Sequence, residues 1–372
     1  MRILHVITQL GKMYGAQRHV VESVRDHLVN GHQCAVVSGE IGIASAEIES
    51  MEVNVHYVQA LKNSYNIFSD LKAASAIKKI IQIYQPDIVI SHSTKAGIIT
   101  RIVCYINKIP NIFTVHGWSF EIGTPWHQQF FGKISEWILK RFSDSYFCVS
   151  NYTADFGTRI LALNKNQVYV CPNMHKPSSS PVTSKMVFNN VLMVACFRLQ
   201  KDHKTAIKAL NYIIASKALP DIHFTFAGDG PQRNNIERLI KKYQLESYIT
   251  LLGEVSDIDK QYNRCDIVIL PTFYEGLPIA LIEGIQKHKP VIATNVGGIS
   301  EIINNNFNGN LIAVNDYTLL AKLILSYYKN KHFIEYGNNG GKLYQDIYSY
   351  EKISAKMNNV INQAFTNSIF RN

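Results

Sequence analysis

Short runs rich in Val and Ile alternate with longer segments of helical period along most of this 372-residue chain. The runs are apolar on both faces, as strands of a parallel sheet covered by helices must be. Strands are predicted at Arg2–Ile7, Gln33–Ser38, Asn54–Val58, Asp87–Ser91, Ile112–Val115 and Tyr146–Val149. Helices such as Ala16–Asn30, Ser69–Tyr84 and Lys95–Asn107 lie between them. At His175–Ser184 two prolines and four serines make a turn-rich linker, and the alternation restarts. Second-half strands are predicted at Val191–Ala195, Ile222–Ala227, Ile249–Leu252, Ile267–Leu270 and Val291–Thr294. The helices there read Asp202–Ile214, Pro231–Tyr243, Asp257–Arg264, Pro278–Gln286 and Thr318–Lys329. Right-handed crossovers turn each half into an open, doubly wound sheet. The predicted fold is α/β: two Rossmann-like domains facing across a cleft. Residues 1–180 form one and 181–349 the other, with a helical segment at 350–372 that packs back on the first.

Hydrophobic residues make up 47% and charged residues 18%, a globular composition. No run is long enough for a membrane helix, and the first strand follows Met1 directly with no cleavage site. The six cysteines are far apart, without a C-x-x-C pair, and read as reduced thiols of a cytoplasmic protein. The net charge of +10 is spread evenly: 17 Lys and Arg against 12 Asp and Glu in residues 1–180, then 21 against 16. A diffuse positive field suits nucleotide diphosphates or an anionic membrane surface. No nucleic-acid-binding signature accompanies it.

In open α/β sheets, ligands bind outside the carboxyl ends of the strands. The densest motif there is Pro271-Thr-Phe-Tyr-Glu275-Gly276-Leu277-Pro278-Ile-Ala-Leu-Ile-Glu283-Gly284. Gly276 permits an unusual turn, and Pro278 suits the first helical position. The N–H groups near Gly276 and Leu277 make a phosphate site at a helix N-terminus. Two acceptor-only carboxylates beside it suit sugar and ribose hydroxyls. The alternative is a helix capped by Glu275, with Glu283 solvated. A second cluster, Val194-Ala-Cys196-Phe-Arg198-Leu-Gln-Lys201-Asp-His203-Lys204, follows the first strand of the second half. Its cations can neutralise a leaving diphosphate. The N-terminal loop Gly11-Lys-Met-Tyr-Gly15-Ala16-Gln17-Arg18 has G-x3-G spacing, unlike the dinucleotide fingerprint. Phe113-Thr-Val-His116-Gly117-Trp118-Ser119-Phe120 and Ser91-His92-Ser-Thr-Lys95-Ala-Gly97 end two further strands, and Phe226-Ala-Gly228-Asp229-Gly230-Pro231 another. Asp257-Ile-Asp259 matches a D-x-D metal motif superficially but reads as a helix start at Ser256-Asp257.

Glu275-x7-Glu283 with its Gly-Leu-Pro core resembles the E-x7-E motif of glycosyltransferase family 4, retaining enzymes of double-Rossmann GT-B type. Pro290–Glu301 resembles that family's next strand and glycine turn, and the His116 run resembles members acting on bacterial surface polysaccharides (O-antigen, capsule). The resemblance covers about 1–20, 87–175 and 190–305. It implies that Glu275 lies near the donor sugar and Glu283 contacts the ribose. It also gives Lys201 the diphosphate, with Cys196 at the usual arginine position and Arg198 reaching the phosphates from a shifted backbone; in a different alignment Lys204 takes the lysine role. Gly15 would approach the diphosphate from the N-terminal domain, Gly228 and Gly230 would border the nucleotide, and His116 would sit near the reacting sugar as a polar contact.

The expected function is transfer of a sugar, with retention, from a nucleotide-sugar donor to a glycan acceptor. The donor is a UDP-sugar, with GDP-mannose as runner-up; the acceptor is lipid-linked. The catalytic candidates are Glu275, His116 and Lys201. The donor-binding candidates are Gly15, Arg198, Lys201, Gly228, Gly230, Glu275, Gly276, Leu277 and Glu283. No metal or cofactor is expected. The alternatives are a nucleotide-sugar 2-epimerase of the same fold and a non-catalytic sugar-nucleotide-binding protein. Lys72, Lys78, Lys79, Lys133, Lys140 and Arg141 are the candidates for electrostatic docking on the inner face of the cytoplasmic membrane.

Overall fold

A computed structural model describes residues 1–62, 66–175, 188–255 and 257–369. The chain divides into two compact units, Met1–Met174 with Tyr350–Asn372, and His175–Ser349. The linker expected after His175 and the boundary near 180 lie outside the described residues.

The first unit holds β1 (Arg2–Ile7), β2 (Gln33–Ser38), β3 (Asn54–Tyr57), β4 (Ile88–Ser91), β5 (Asn111–Val115), β6 (Ser145–Cys148) and β7 (Val168–Val170). All pair in parallel, in the order β3-β2-β1-β4-β5-β6-β7. The order reverses between β1 and β4, where Ile3 faces Ile88 and Leu4 faces Val89. Alternate residues of β1 feed opposite cores, which is why its sequence is apolar throughout. Leu4 and Val6 pack with Ala73, Ile77 and Ala96 from helices Ile67–Tyr84 and Thr94–Asn107. Ile3 packs on the other face with Ile353, Met357 and Ile361 of helix Tyr350–Ile369, and Ile7 with Val20 and Val24 of helix Gly15–Val29.

The second unit repeats the plan. Strands β8 (Asn190–Val194), β9 (His223–Ala227), β10 (Ile249–Gly253), β11 (Ile267–Leu270), β12 (Val291–Thr294) and β13 (Gly309–Ile312) form a parallel sheet in the order β10-β9-β8-β11-β12-β13. Its reversal lies between β8 and β11. Side-chain caps start several helices: Asp202 for His203–Ser216, Asp257 for Ile258–Arg264 and Asp316 for Tyr317–Asn330 each accept from an N–H three residues on.

Two strands and several helices lie beyond the sequence reading. β7 has only three residues, and β13 begins Gly-Asn, so neither carries a long apolar run. Helix Trp126–Leu139 carries the helical spacing read at Lys133 and Lys140, but most of its large apolar residues face outward. Pro278 is the residue before helix Ile279–Gln286, not its first helical position. Among the described residues, no helix is long and apolar enough to cross a membrane.

Candidate active site

In the second unit the motif loops converge at the strand-order reversal. The segment after β8 lies along the segment after β11, joined through backbone. Asp202 N donates to Pro271 O at 3.0 Å, Phe273 N to Gln200 O at 2.9 Å, and the Gln200 amide to Tyr274 O at 2.6 Å. This brings Lys201 Nζ against Glu275 Oε1 as an ion pair. Thr272 Oγ1 donates to the same carboxylate at 3.1 Å. Glu275 is buried and Lys201 partly so, where charge–charge attraction exceeds that in water. His203 holds the lysine backbone: its Nδ1 donates to Lys201 O at 2.8 Å, and its ring packs on Phe197 and Phe226. Burial lowers the His203 pKa to about 4, so the ring is neutral.

The turn after β9 explains its glycines. Gly228 has φ +143° and Gly230 φ +157°; a Cβ on them would meet Ala195 O at 2.1 Å and Phe197 O at 2.7 Å. Only glycine lets this turn press against the 195–198 backbone, where Phe197 N donates to Asp229 O. That contact fixes the loop carrying Cys196 and Arg198. Cys196 is half-buried; Arg198 is exposed, its N–H donating to Cys196 O at 2.8 Å. Lys204 is exposed on the first turn of its helix.

Gly276 and Leu277 are buried beside Glu275. The left-handed glycine of these loops is not Gly276 but Gly297, after β12, with φ +57°. A Cβ there would stand 1.7 Å from Glu275 O, and Gly298 N donates to Gly276 O at 3.1 Å. The glycine turn thus seats the Glu275–Gly276 backbone.

Glu283 is not a solvated helix charge. It is buried, its Oε2 accepts from Tyr262 Oη at 2.8 Å, and its Oε1 lies 3.5 Å from His175 Nδ1. Asp257 caps its helix and Asp259 Oδ1 pairs with Lys287 Nζ at 3.1 Å, so each aspartate already has a structural partner. Ser256 lies outside the described residues.

In the first unit, half-buried His116 joins four buried histidines at the β1–β4 reversal. His5 on β1 stands between His92 and His27, its Nδ1 2.9 Å from His92 Nε2 and its Nε2 3.2 Å from His27 Nδ1. His19 packs edge-on against His116, with ring centroids 4.8 Å apart. Burial lowers the His5 pKa to about 3 and His19 to about 4, and drives His27, His92 and His116 well below their ordinary value. Neighbouring histidines add to the shift at His5, His27, His92 and His116. His116 is therefore a neutral hydrogen-bonding group. Lys95, three residues after His92 in sequence, is buried and paired with Asp70 at 2.6 Å.

The two N-terminal glycines differ. A Cβ at Gly11 would strike the Glu40 side chain; one at Gly15 would meet nothing within 4 Å. Packing accounts for Gly11 but not for Gly15, which opens helix Gly15–Val29. Gly297 lies in the glycine turn read from the sequence, whereas Gln200, Tyr262, Thr272, His5 and His19 are added by the structure. Gln200 and Thr272 lie inside the recognised motif runs; Tyr262 carries no sequence signal.

Comparison with known proteins agrees with this architecture. Residues 13–177 match the family described as Glycosyltransferase Family 4, and residues 179–347 match Glycosyl transferases group 1. The chain is 27% identical to the UDP-Gal:alpha-D-GlcNAc-diphosphoundecaprenol alpha-1,3-galactosyltransferase of Escherichia coli, over 71% of this chain and 72% of that protein. It is 23% identical to the capsular polysaccharide biosynthesis glycosyltransferase CapM of Staphylococcus aureus, over 97% of each. The crystal structure of Anabaena HepE in complex with UDP-glucose superposes with TM-score 0.83 at 18% identity, over 97% of this chain and 99% of that one. With both domain families matched in order and the double parallel-sheet fold in place, the chain belongs to the GT-B glycosyltransferases, related to enzymes of bacterial polysaccharide biosynthesis.

Proposed function

We propose that this glycosyltransferase transfers a hexose, with retention, from a UDP-sugar to a lipid-linked glycan acceptor in surface-polysaccharide synthesis. The observation that carries the reading is the Lys201–Glu275 pair at the β8–β11 reversal, with Glu283 buried eight residues on. UDP is preferred because the Escherichia coli relative's name specifies UDP-Gal and the Anabaena structure contains UDP-glucose. The same relative acts on a diphosphoundecaprenol-linked sugar, which supports a lipid-linked acceptor.

In this reading the second unit binds the donor. Lys201, with Arg198, neutralises the diphosphate as the bond from the sugar anomeric carbon to the phosphate oxygen breaks. Glu275 accepts hydrogen bonds from donor-sugar hydroxyls, and Glu283, steadied by Tyr262, accepts from the ribose. Gly228 and Gly230 shape the nucleotide border, and the buried Gly276–Leu277 backbone seats the diphosphate end. The acceptor oxygen bonds to the anomeric carbon on the face the phosphate leaves, and the departing phosphate takes the acceptor proton. In the first unit, neutral His116 contacts the reacting sugar and Gly15 lets backbone approach the diphosphate.

A panel of nucleotide sugars tested by thermal shift, followed by transfer to a lipid-linked acceptor, checks the proposal. UDP-sugars should raise the melting temperature by mass action. Stabilisation by GDP-mannose alone would reassign the donor. Conversion of donor without an acceptor would indicate a nucleotide-sugar epimerase.

A further inference from the structure

Helix Trp126–Leu139 is built inside out. Its buried residues are Gly132, Glu136 and Leu139. Its exposed side carries Trp126 (78% exposed), Phe130, Phe131 (68%), Ile134, Trp137 (58%) and Ile138. A surface helix ordinarily turns such a stripe toward the core. Here the inward contacts are of another kind. A Cβ on Gly132 would meet Ser119 Oγ at 2.4 Å, so the helix backbone lies close on that loop. Glu136 receives both Arg101 terminal nitrogens at 2.8 Å, and that guanidinium is fully buried. A close backbone approach and one buried ion pair therefore hold the helix while its apolar side points out. On the neighbouring helix Thr94–Asn107, Ile102, Tyr105 and Ile106 are also exposed. Single exposed apolar residues are ordinary, but a contiguous aromatic patch marks a binding surface.

Along the chain, the exposed charge beside the patch is mainly basic. Residues 94–143 contain only two carboxylates, Glu121 and Glu136, each 1% exposed. Lys108, Lys133 and Arg141 are exposed in the same stretch. Lys140 Nζ reaches Leu161 O and lies 5.8 Å from the Trp137 ring centroid, at the patch edge. Tryptophan, tyrosine and basic residues beside an apolar helix face match the boundary between lipid headgroups and acyl chains.

We infer that helix Trp126–Leu139 lies in the surface of a phospholipid bilayer, with Trp126, Phe130, Phe131, Ile134, Trp137 and Ile138 inserted among the acyl chains. The basic rim contacts anionic headgroups. This differs from the docking expected from charge alone, because apolar burial supplies most of the free energy and salt does not remove it. It gives the proposed lipid-linked acceptor a bilayer to be taken from, but it is tested without donor or acceptor, so its failure leaves the donor reading untouched.

The test uses the full chain with vesicles of phosphatidylcholine alone, and of three parts phosphatidylcholine to one part phosphatidylglycerol. Binding is expected to both, stronger to the anionic mixture and retained in molar salt. Brominated acyl chains should quench tryptophan emission from bound protein. The double substitution Trp126→Asp with Phe131→Asp should reduce partitioning on the order of a hundredfold or more. Both positions are exposed, so the melting temperature and nucleotide binding should be unchanged. Binding to anionic vesicles that molar salt abolishes, without quenching, would overturn insertion. So would absence of vesicle binding together with a dimer that the same substitutions dissociate, which would give the patch to a second copy of the chain.

Discussion

Lys201 Nζ and Glu275 Oε1 form an ion pair across 74 residues of sequence, joining the loops that end β8 and β11. Neither side chain can be removed without leaving the other's charge unpartnered in a partly buried place. Glu275→Gln keeps the shape and the Thr272 contact, and is the cleaner probe. Its transfer rate at saturating donor should fall about 10²–10³-fold, the usual cost of losing one transition-state contact, with the melting temperature changed by only a few degrees. Wild-type turnover in the folded variant would remove Glu275 from the reaction.

Lys201→Ala and Lys204→Ala should separate in calorimetric titrations with UDP. Lys201 lies at the strand end against Glu275, whereas Lys204 is exposed one helical turn further. Lys201→Ala is expected to weaken UDP at least tenfold, about 1.4 kcal/mol, and Lys204→Ala less than threefold. The opposite ranking would move the diphosphate contact to Lys204.

Gly297→Ala tests the backbone support of Glu275. The left-handed φ alone disfavours alanine by about 1 kcal/mol, and the added Cβ runs into Glu275 O. The expected outcome is a lowered unfolding midpoint and loss of nucleotide binding. Alanine at Gly15, where a Cβ meets nothing, should leave the midpoint unchanged and affect only ligand affinity. Equal effects on stability at the two positions would contradict this account.

Asp257 and Asp259 are occupied in capping and in pairing with Lys287. Transfer should therefore survive a chelator. Full loss of activity, recovered with manganese or magnesium, would show that these carboxylates or others ligate a metal.

The histidine cluster makes stability depend on pH. His5 and His19 stay neutral in the fold down to about pH 3 and about pH 4, against 6.5 when unfolded. Below 6.5 the unfolded chain takes up protons that the folded chain refuses. The stability these residues contribute is complete above 6.5 and declines as the pH falls toward their folded values. Each contributes a slope of up to about 1.4 kcal/mol per pH unit. Urea midpoints followed from about pH 7 to pH 5 should drop, and His5→Asn should flatten the decline. Identical slopes in the two proteins would exclude His5 as a source.

What sequence reveals here is what lies close along the chain. The Val- and Ile-rich strands repeat as parallel, two-faced sheets require, and Glu275, Lys201 and His116 lie in the loops that leave such strands. The pairing of Lys201 with Glu275, the Tyr262 hydroxyl on Glu283 and the Gly297 turn under Glu275 depend on loops from different strands meeting. No local pattern encodes such meetings. Gly276 looked like the special backbone because it sits inside the motif, yet the strain falls on Gly297, more than twenty residues later. Helix Trp126–Leu139 shows another limit: the spacing of Lys133 and Lys140 suits one helix face, but periodicity does not say which side faces the protein.

The loops around Lys201 and Glu275 are tied mainly through main-chain atoms: Gln200 O, Pro271 O, Tyr274 O, Ala195 O and Glu275 O. Main-chain atoms are common to nearly every residue type. Side chains at the rim of such loops can therefore be exchanged without shifting the frame that presents them. In the proposed reading, a scaffold of this kind would let the accepted sugar diversify by point substitution while the geometry for holding a diphosphate stays fixed.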